Sequence, residues 1–279
     1  MRDRAQLCWY DGERYDDGRF PIAANEPGLI FGATVFSTMR VYGGGFDDPR
    51  TAWPAHRRRL EGAIAAFGWP QPSWESIDRG LETLLPHYPV LRVTLFPDGR
   101  ELVSGRYLPD DLADMQREGI AVWVAPSDRH ARSLAGYKTG NYLGAWSALQ
   151  AARSRGLREA ILTDESGNWL ETSTGNLWGY RDGVWHTPPT DGSILPGIVR
   201  QRILDSLRSR QISVDDREPW TPELWRSFEV LAYSNSGVEV VPIVRVEFEA
   251  AAGDRAPIAS EGGDRGRVLA VLRQPFAEG

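Results

Sequence analysis

Tyr137-Lys138-Thr139-Gly140-Asn141-Tyr142-Leu143 holds the only lysine of a 279-residue chain whose 32 basic residues are otherwise all arginine. Arginine replaces lysine readily in surface charge and ion pairing, because its planar guanidinium is always protonated and bonds carboxylates in a fork. It cannot supply a neutral primary amine. Lysine can lose its proton and attack a carbonyl, which makes Lys138 a candidate Schiff-base residue. From the count alone, a stray surface lysine in an arginine-biased chain is an equal alternative, and the surrounding sequence decides between them.

Composition narrows the field first. The chain is long enough for one large domain or two ordinary ones, and 41% hydrophobic residues supply a substantial core. Neither a signal-peptide run nor an apolar stretch of membrane-spanning length is present, so no membrane partner is expected. One cysteine, Cys8, excludes an intrachain disulfide, and with four scattered histidines no metal site is expected. A reducing cytoplasm is the expected compartment. A net charge of −6 argues against general nucleic-acid binding.

Working outward from Lys138, the pattern is an α/β (α+β) alternation without a regular βαβ repeat. Residues 7–10 read as a strand turning at Asp11-Gly12, and 32–41 as a β-branched strand ending at Tyr42-Gly43-Gly44-Gly45. Helical spacing covers 53–67 and 74–85, and 90–96 reads as a strand closed by Pro97-Asp98-Gly99. A strand at 120–124 precedes a polar connector at 126–136. Beyond Lys138, 142–156 reads as a helix stopped by glycine, 159–163 and 169–180 as strands, and 198–210 as an amphipathic helix. Strands at 228–233 and 238–246 flank Ser234-Asn235-Ser236-Gly237. Residues 250–267 read as a loop before a short last helix. The expected division is an N-terminal domain over 1–118, a connector over 119–132 and a C-terminal domain over 133–279.

Several of these segments resemble, in order, the motifs of the fold-type IV pyridoxal-phosphate enzymes, the class IV aminotransferases and their relatives. The lysine segment is similar to that family's Lys-Thr-x-Asn-Tyr. Leu170-Glu171-Thr172-Ser173-Thr174-Gly175-Asn176-Leu177-Trp178 follows at the family's spacing. Leu195-Pro196-Gly197-Ile198-Val199-Arg200 resembles Leu-Pro-Gly-Ile-Thr-Arg, His56-Arg57-Arg58-Arg59-Leu60 resembles His-x-x-Arg-Leu, and Asn235-Ser236 with Pro242 resembles the late phosphate turn. Each motif is weak alone; five in order, with the sole lysine in the right one, displace the stray-lysine reading. The resemblance implies a two-domain fold, with a small N-terminal α/β domain and a larger C-terminal pseudo-barrel α/β domain. It also implies pyridoxal 5'-phosphate as cofactor and a homodimer.

The resemblance assigns roles residue by residue, and each has a physical reason. Lys138 would hold the cofactor aldehyde and then shuttle a proton. Glu171 would face the pyridine nitrogen and keep it protonated, with Asn176 in the same motif lining the cofactor. The phosphate would meet Arg59 as a charge-assisted partner, the amides of Ile198 and Val199 following Gly197 at a helix N-terminus, and Asn235 with Ser236. Arg57 and Arg58 read instead as a solvated basic face. Val199 stands where the family has threonine, which removes a hydroxyl contact and leaves the amide.

The early strand separates branches of the family. Phe36-Ser37-Thr38-Met39-Arg40 lacks the glutamate that aminotransferases carry after phenylalanine, and resembles the Phe-Thr-Thr-x-Arg of the 4-amino-4-deoxychorismate lyases, which form 4-aminobenzoate and pyruvate for folate synthesis. That resemblance implies Thr38 as a hydroxyl assisting Lys138, and Arg100, with Arg40 and Arg92 as weaker candidates, binding the substrate's carboxylates. The other reading within the family is an aminotransferase for branched-chain or D-amino acids. A reading from another class, an interaction module on the basic helix around Arg57–Arg59, sits poorly with the acidic net charge.

Overall fold

Cys8–Tyr10 (β1) and Glu13–Tyr15 (β2) close a hairpin over Asp11 and Gly12, whose φ angles of 50° and 82° give the left-handed turn that a two-residue connection requires. In this computed structural model, which describes residues 7–43, 45–248, 255–256 and 265–277, the chain divides into two compact units. One comprises the chain up to Pro109 together with Tyr137–Asn141; the other comprises Asp110–Gly136 and the chain from Tyr142 onward. The lysine segment thus belongs to the first unit.

That unit continues with α1 (Pro27–Ile30), β3 (Val35–Arg40), α2 (Trp53–Phe67), α3 (Trp74–Leu84), β4 (Val90–Leu95) and β5 (Glu101–Arg106). The sheet runs β2-β1-β5-β4-β3, antiparallel throughout. Alternation sends Val35, Met39, Leu91, Val93, Leu95 and Val103 into a core with Leu60 and Ile64 of α2 and Ile77, Leu81 and Leu84 of α3. The same alternation turns Phe36, Thr38, Arg40, Arg92, Thr94 and Ser104 to the opposite face. β5 was not anticipated. Its first residue, Glu101, is buried, accepting from Trp9 Nε1 at 3.2 Å, Gly12 N at 2.9 Å and Ser76 Oγ at 2.6 Å. Its Gly105 leaves room for the Tyr88 ring, which a Cβ there would meet at 2.0 Å.

The second unit contains α4 (Leu112–Glu118), β6 (Ile120–Ala125), α5 (Ser127–His130), α6 (Leu143–Ser154), β7 (Glu159–Thr163), β8 (Trp169–Thr172), β9 (Asn176–Arg181), β10 (Val184–His186), α7 (Ile198–Ser209), β11 (Val214–Asp215), α8 (Pro222–Arg226), β12 (Val230–Asn235), β13 (Glu239–Glu247), β14 (Arg255–Ala256) and α9 (Arg265–Arg273). Its mixed, curled sheet has the order β11-β10-β9-β12-β13-β6-β7-β8, with β14 on β13. β6 lies parallel to both β13 and β7, and β10 parallel to β11.

Helix α7 buries Val199, Ile203, Leu204 and Leu207 against Trp178, Trp185 and Leu272, the stripe that its helical spacing dictates. Helix α6 lays Ala145, Ala148 and Ala152 against Trp123 and Leu162. The strand expected over 169–180 is broken in two. Thr172 Oγ1 accepts the Gly175 amide at 2.9 Å and closes a turn there. The connector at 126–136 contains the short α5. Most of the loop expected over 250–267 lies outside the described residues; the last helix is α9.

Candidate active site

Lys138 is held beside β3. Phe36 N–H donates to the Lys138 carbonyl at 2.8 Å, Gly140 N–H to the Thr34 carbonyl at 2.7 Å, and Thr139 bridges to Val35. Gly140 is needed for that approach, since a Cβ would lie 2.3 Å from Thr34 Oγ1. The lysine segment therefore extends the edge of the sheet, and its amine falls on the face turned away from the helices. Lys138 Nζ lies 4.8 Å from the centroid of the Phe36 ring, and Arg92 Cζ lies 3.5 Å from the same centroid.

Thr38 follows Phe36 on this face and is the register partner of Arg92, while Arg92 Nε donates to Thr94 Oγ1 at 3.1 Å. Arg40 lies beyond, 5.0 Å over the Tyr42 ring. Ser37 points the other way, its hydroxyl 2.7 Å from His56 Nδ1 inside the core. Lys138, Thr38, Arg40 and Arg92 are thus brought to one face. Arg100 is at the β4–β5 turn, donating to Asp98 Oδ2 at 2.6 Å and also to Glu26 and the Tyr10 hydroxyl. A substrate carboxylate at Arg100 would share it with those acids.

The three arginines of α2 differ as the helix turns. Arg57 pairs with Glu61 at 2.9 Å and lies 4.4 Å over the Trp74 ring, Arg58 is exposed, and Arg59 is half-buried one turn from the buried His56.

In the second unit Glu171, at the end of β8, is buried and ion-paired with Arg132, with side chains 4% and 5% exposed. Glu171 Oε2 also accepts the Leu195 amide at 3.2 Å. Arg132 donates to the Ala135 carbonyl at 3.1 Å and lies 4.5 Å over the Tyr142 ring. Sequence reasoning missed Arg132. It falls in a polar stretch without periodicity, and the one available signal was an arginine six positions before the lysine.

Asn176 joins the remaining parts. Its Nδ2 donates to the Leu195 carbonyl at 2.8 Å, it pairs with Ser234 across the sheet, and Gly197 packs so closely that a Cβ would sit 1.9 Å from Asn176 Oδ1. Gly197 is the N-cap of α7 and no side chain caps that end, so the amides of Ile198 and Val199 face outward with the positive end of the helix dipole. The Val199 side chain is in the core, so this position offers an anion its amide only. Asn235 Oδ1 accepts the amides of Gly237 and Val238 at 2.8 and 3.0 Å, which folds the turn that carries Ser236.

The sequence model of the family described as Amino-transferase class IV matches residues 34–246. The branched-chain-amino-acid aminotransferase of Escherichia coli (strain K12) is 26% identical over 271 residues, covering 88% of this chain and 86% of its own length. The structure of a candidate 4-amino-4-deoxychorismate lyase superposes with a TM-score of 0.71 at 27% identity, covering 93% of this chain and 96% of that one. The T.th. branched-chain amino acid aminotransferase complexed with N-(5'-phosphopyridoxyl)-L-glutamate superposes with a TM-score of 0.76 at 18% identity, covering 99% and 94%.

Pyridoxal 5'-phosphate suits the groups present. It needs an amine, and the first unit presents Lys138 on an otherwise arginine-rich face. It needs a carboxylate for its ring nitrogen, and the second unit holds Glu171 buried with one oxygen on Arg132 and the other on an amide. It needs anion donors, and the same unit offers an uncapped helix N-terminus packed against Asn176.

Proposed function

We propose, for a chain that belongs to the class IV aminotransferase family and takes pyridoxal 5'-phosphate, that it is a lyase converting 4-amino-4-deoxychorismate to 4-aminobenzoate and pyruvate. One observation carries this reading: the sheet face beside Lys138 presents Thr38, Arg40 and Arg92. Two guanidiniums and a hydroxyl suit a dianionic ring substrate, whereas an aliphatic amino-acid side chain would gain nothing from them.

When bound, the cofactor supplies the electron sink for a carbanion next to the substrate nitrogen. Lys138 Nζ would take the proton from C4 of the substrate ring. The C–O bond to the enolpyruvyl group then breaks, the ring becomes aromatic, and the departing enol is protonated to pyruvate. No oxidant or second substrate is required. Thr38 would hold the lysine amine in line for that transfer, Arg92 and Arg40 would orient the carboxylates, and Glu171 would hold a proton at the pyridine nitrogen. Arg59, the first amides of α7, Asn235 and Ser236 would bind the phosphate. An N-terminal and a C-terminal domain are likewise proposed, with the lysine segment Tyr137–Asn141 grouped in the first compact unit although it follows the connector in sequence.

The E. coli relative supports a second reading, an aminotransferase for branched-chain or D-amino acids. The two part on the cofactor spectrum at the end of turnover. A lyase returns it to the aldehyde form, whereas an aminotransferase given no keto acid leaves it in the amine form.

Among the described residues no helix is long and apolar enough to cross a membrane. Leu143 and Trp146, 70% and 58% exposed on α6, support the proposal of a homodimer, which sedimentation would test.

A further inference from the structure

Behind the turn between β8 and β9 lies a buried carboxylate that no role above uses. Glu159 opens β7 and is 2% exposed. Its Oε1 accepts the Ala160 amide at 2.9 Å and the Ser173 hydroxyl, and its Oε2 accepts the Thr174 hydroxyl. Burial leaves its pKa raised above the ordinary carboxylate value, against the smaller opposing pull of the Ser173 and Thr174 hydroxyls and the Ala160 amide. A buried acid with three donors is a satisfied one, so the interest lies in what those donors hold.

The bonds have a direction that passes along the chain. Thr174 has one hydroxyl proton, and with that proton on Glu159 its oxygen is left as an acceptor. Asn235 Nδ2 donates to that oxygen at 3.3 Å. This sets which way the Asn235 amide faces, and its Oδ1 then takes the Gly237 and Val238 amides. Gly175 permits the close approach, because a Cβ there would lie 2.3 Å from the Ser234 carbonyl oxygen. A path of hydrogen bonds therefore runs from a buried carboxylate to the turn that carries Ser236.

We propose that Glu159 is a positioning residue for the cofactor phosphate, acting through Thr174 and Asn235 to fix the Ser236 turn. This rests on assigning the phosphate to that turn. Glu159 touches no ligand itself and acts through Thr174 and Asn235 on the turn that would meet the anion, so its effect depends on the phosphate group and not on the ring or aldehyde.

Pyridoxal, which lacks the phosphate, is the control. The holoenzyme is resolved to the apoenzyme and titrated with pyridoxal 5'-phosphate and separately with pyridoxal, following quenching of the native tryptophan fluorescence. Glu159→Gln replaces an acceptor with a donor and should raise the dissociation constant for the phosphate ester about 10- to 100-fold while leaving that for pyridoxal nearly unchanged. Thr174→Val, which cuts the same path at an exposed residue, should show the same selectivity and carries the test if Glu159→Gln does not fold. Ser236→Ala checks the underlying assignment. Selective loss at Ser236→Ala without selective loss at Glu159→Gln or Thr174→Val overturns the positioning role and leaves the phosphate site standing. No selective loss at Ser236→Ala overturns both. Equal weakening of the two ligands at Glu159→Gln and Thr174→Val would reduce Glu159 to a fold-stabilising residue and also overturn the proposal.

Discussion

Arg132 and Glu171 form an ion pair in which neither side chain keeps more than 5% of its exposure, and the remaining Glu171 oxygen is taken by the Leu195 amide. The pair therefore fixes the carboxylate in two directions before any ligand arrives. Removing one member of a buried pair leaves an uncompensated charge, which costs about 3–5 kcal/mol. Arg132→Met should lower stability by that order in urea unfolding, and Arg132→Met combined with Glu171→Gln should recover part of the loss. Equal stability of Arg132→Met and the parent would show that the pair does not hold Glu171.

Arg59→Ala should weaken binding of pyridoxal 5'-phosphate by about 10- to 150-fold, the worth of a charge-assisted hydrogen bond to a dianion. Arg57 is committed to Glu61 and the Trp74 ring and Arg58 faces solvent, so their alanine variants should bind nearly as the parent does. Fluorescence titration of the apoenzyme checks this. Equal losses at all three positions would place the phosphate elsewhere.

Thr38 shares its face with Arg92 and with Phe36, whose ring lies under the Lys138 amine. Thr38→Ala should lower kcat with little change in KM, as expected when a contact made mainly in the transition state is lost. The low end of a general acid–base contribution, about 10²-fold, is expected because Lys138 would remain as the proposed base. Thr38→Ser should restore most of the rate. A rise in KM alone would make Thr38 a binding residue instead.

His186 gives stability a dependence on pH. It is buried against Phe228, and burial with the Arg181 charge holds its pKa below the ordinary imidazole value, against the pull of Asp215 and Glu218. The unfolded chain then binds the extra proton more readily, so stability is lost as pH falls through the unfolded value of about 6.5 and below. Asp215, held low first by the Arg217 amide, adds a further loss below its unfolded value of about 3.9. The Tm should fall between pH 7.5 and 5.5, and His186→Phe should flatten that slope. An unchanged slope in His186→Phe would assign the effect to other groups.

The parts of this protein that are readable from sequence are those whose pattern has one physical cause. Helices α2 and α7 show apolar spacing that nothing competes with, and Lys138 stands out because every other basic residue is arginine. β5 was hidden because Glu101 looks solvated until Trp9, Gly12 and Ser76 converge on it. The break at Ser173–Gly175 was hidden because Thr-Ser-Thr favours a strand locally, and the turn is closed by a side chain from Thr172 and by Glu159 behind it. Arg132 is set by a contact 39 residues away in sequence, which no local pattern records.

The most direct test of the lyase reading is product release from 4-amino-4-deoxychorismate by the purified holoenzyme with no keto acid present. The expected result is equal amounts of pyruvate and 4-aminobenzoate over many turnovers per active site, with Lys138→Ala inactive and the cofactor in its aldehyde form at the end. An enzyme that leaves this substrate untouched, yet exchanges amino groups between leucine or D-alanine and 2-oxoglutarate at an ordinary rate, would contradict the account and establish the aminotransferase.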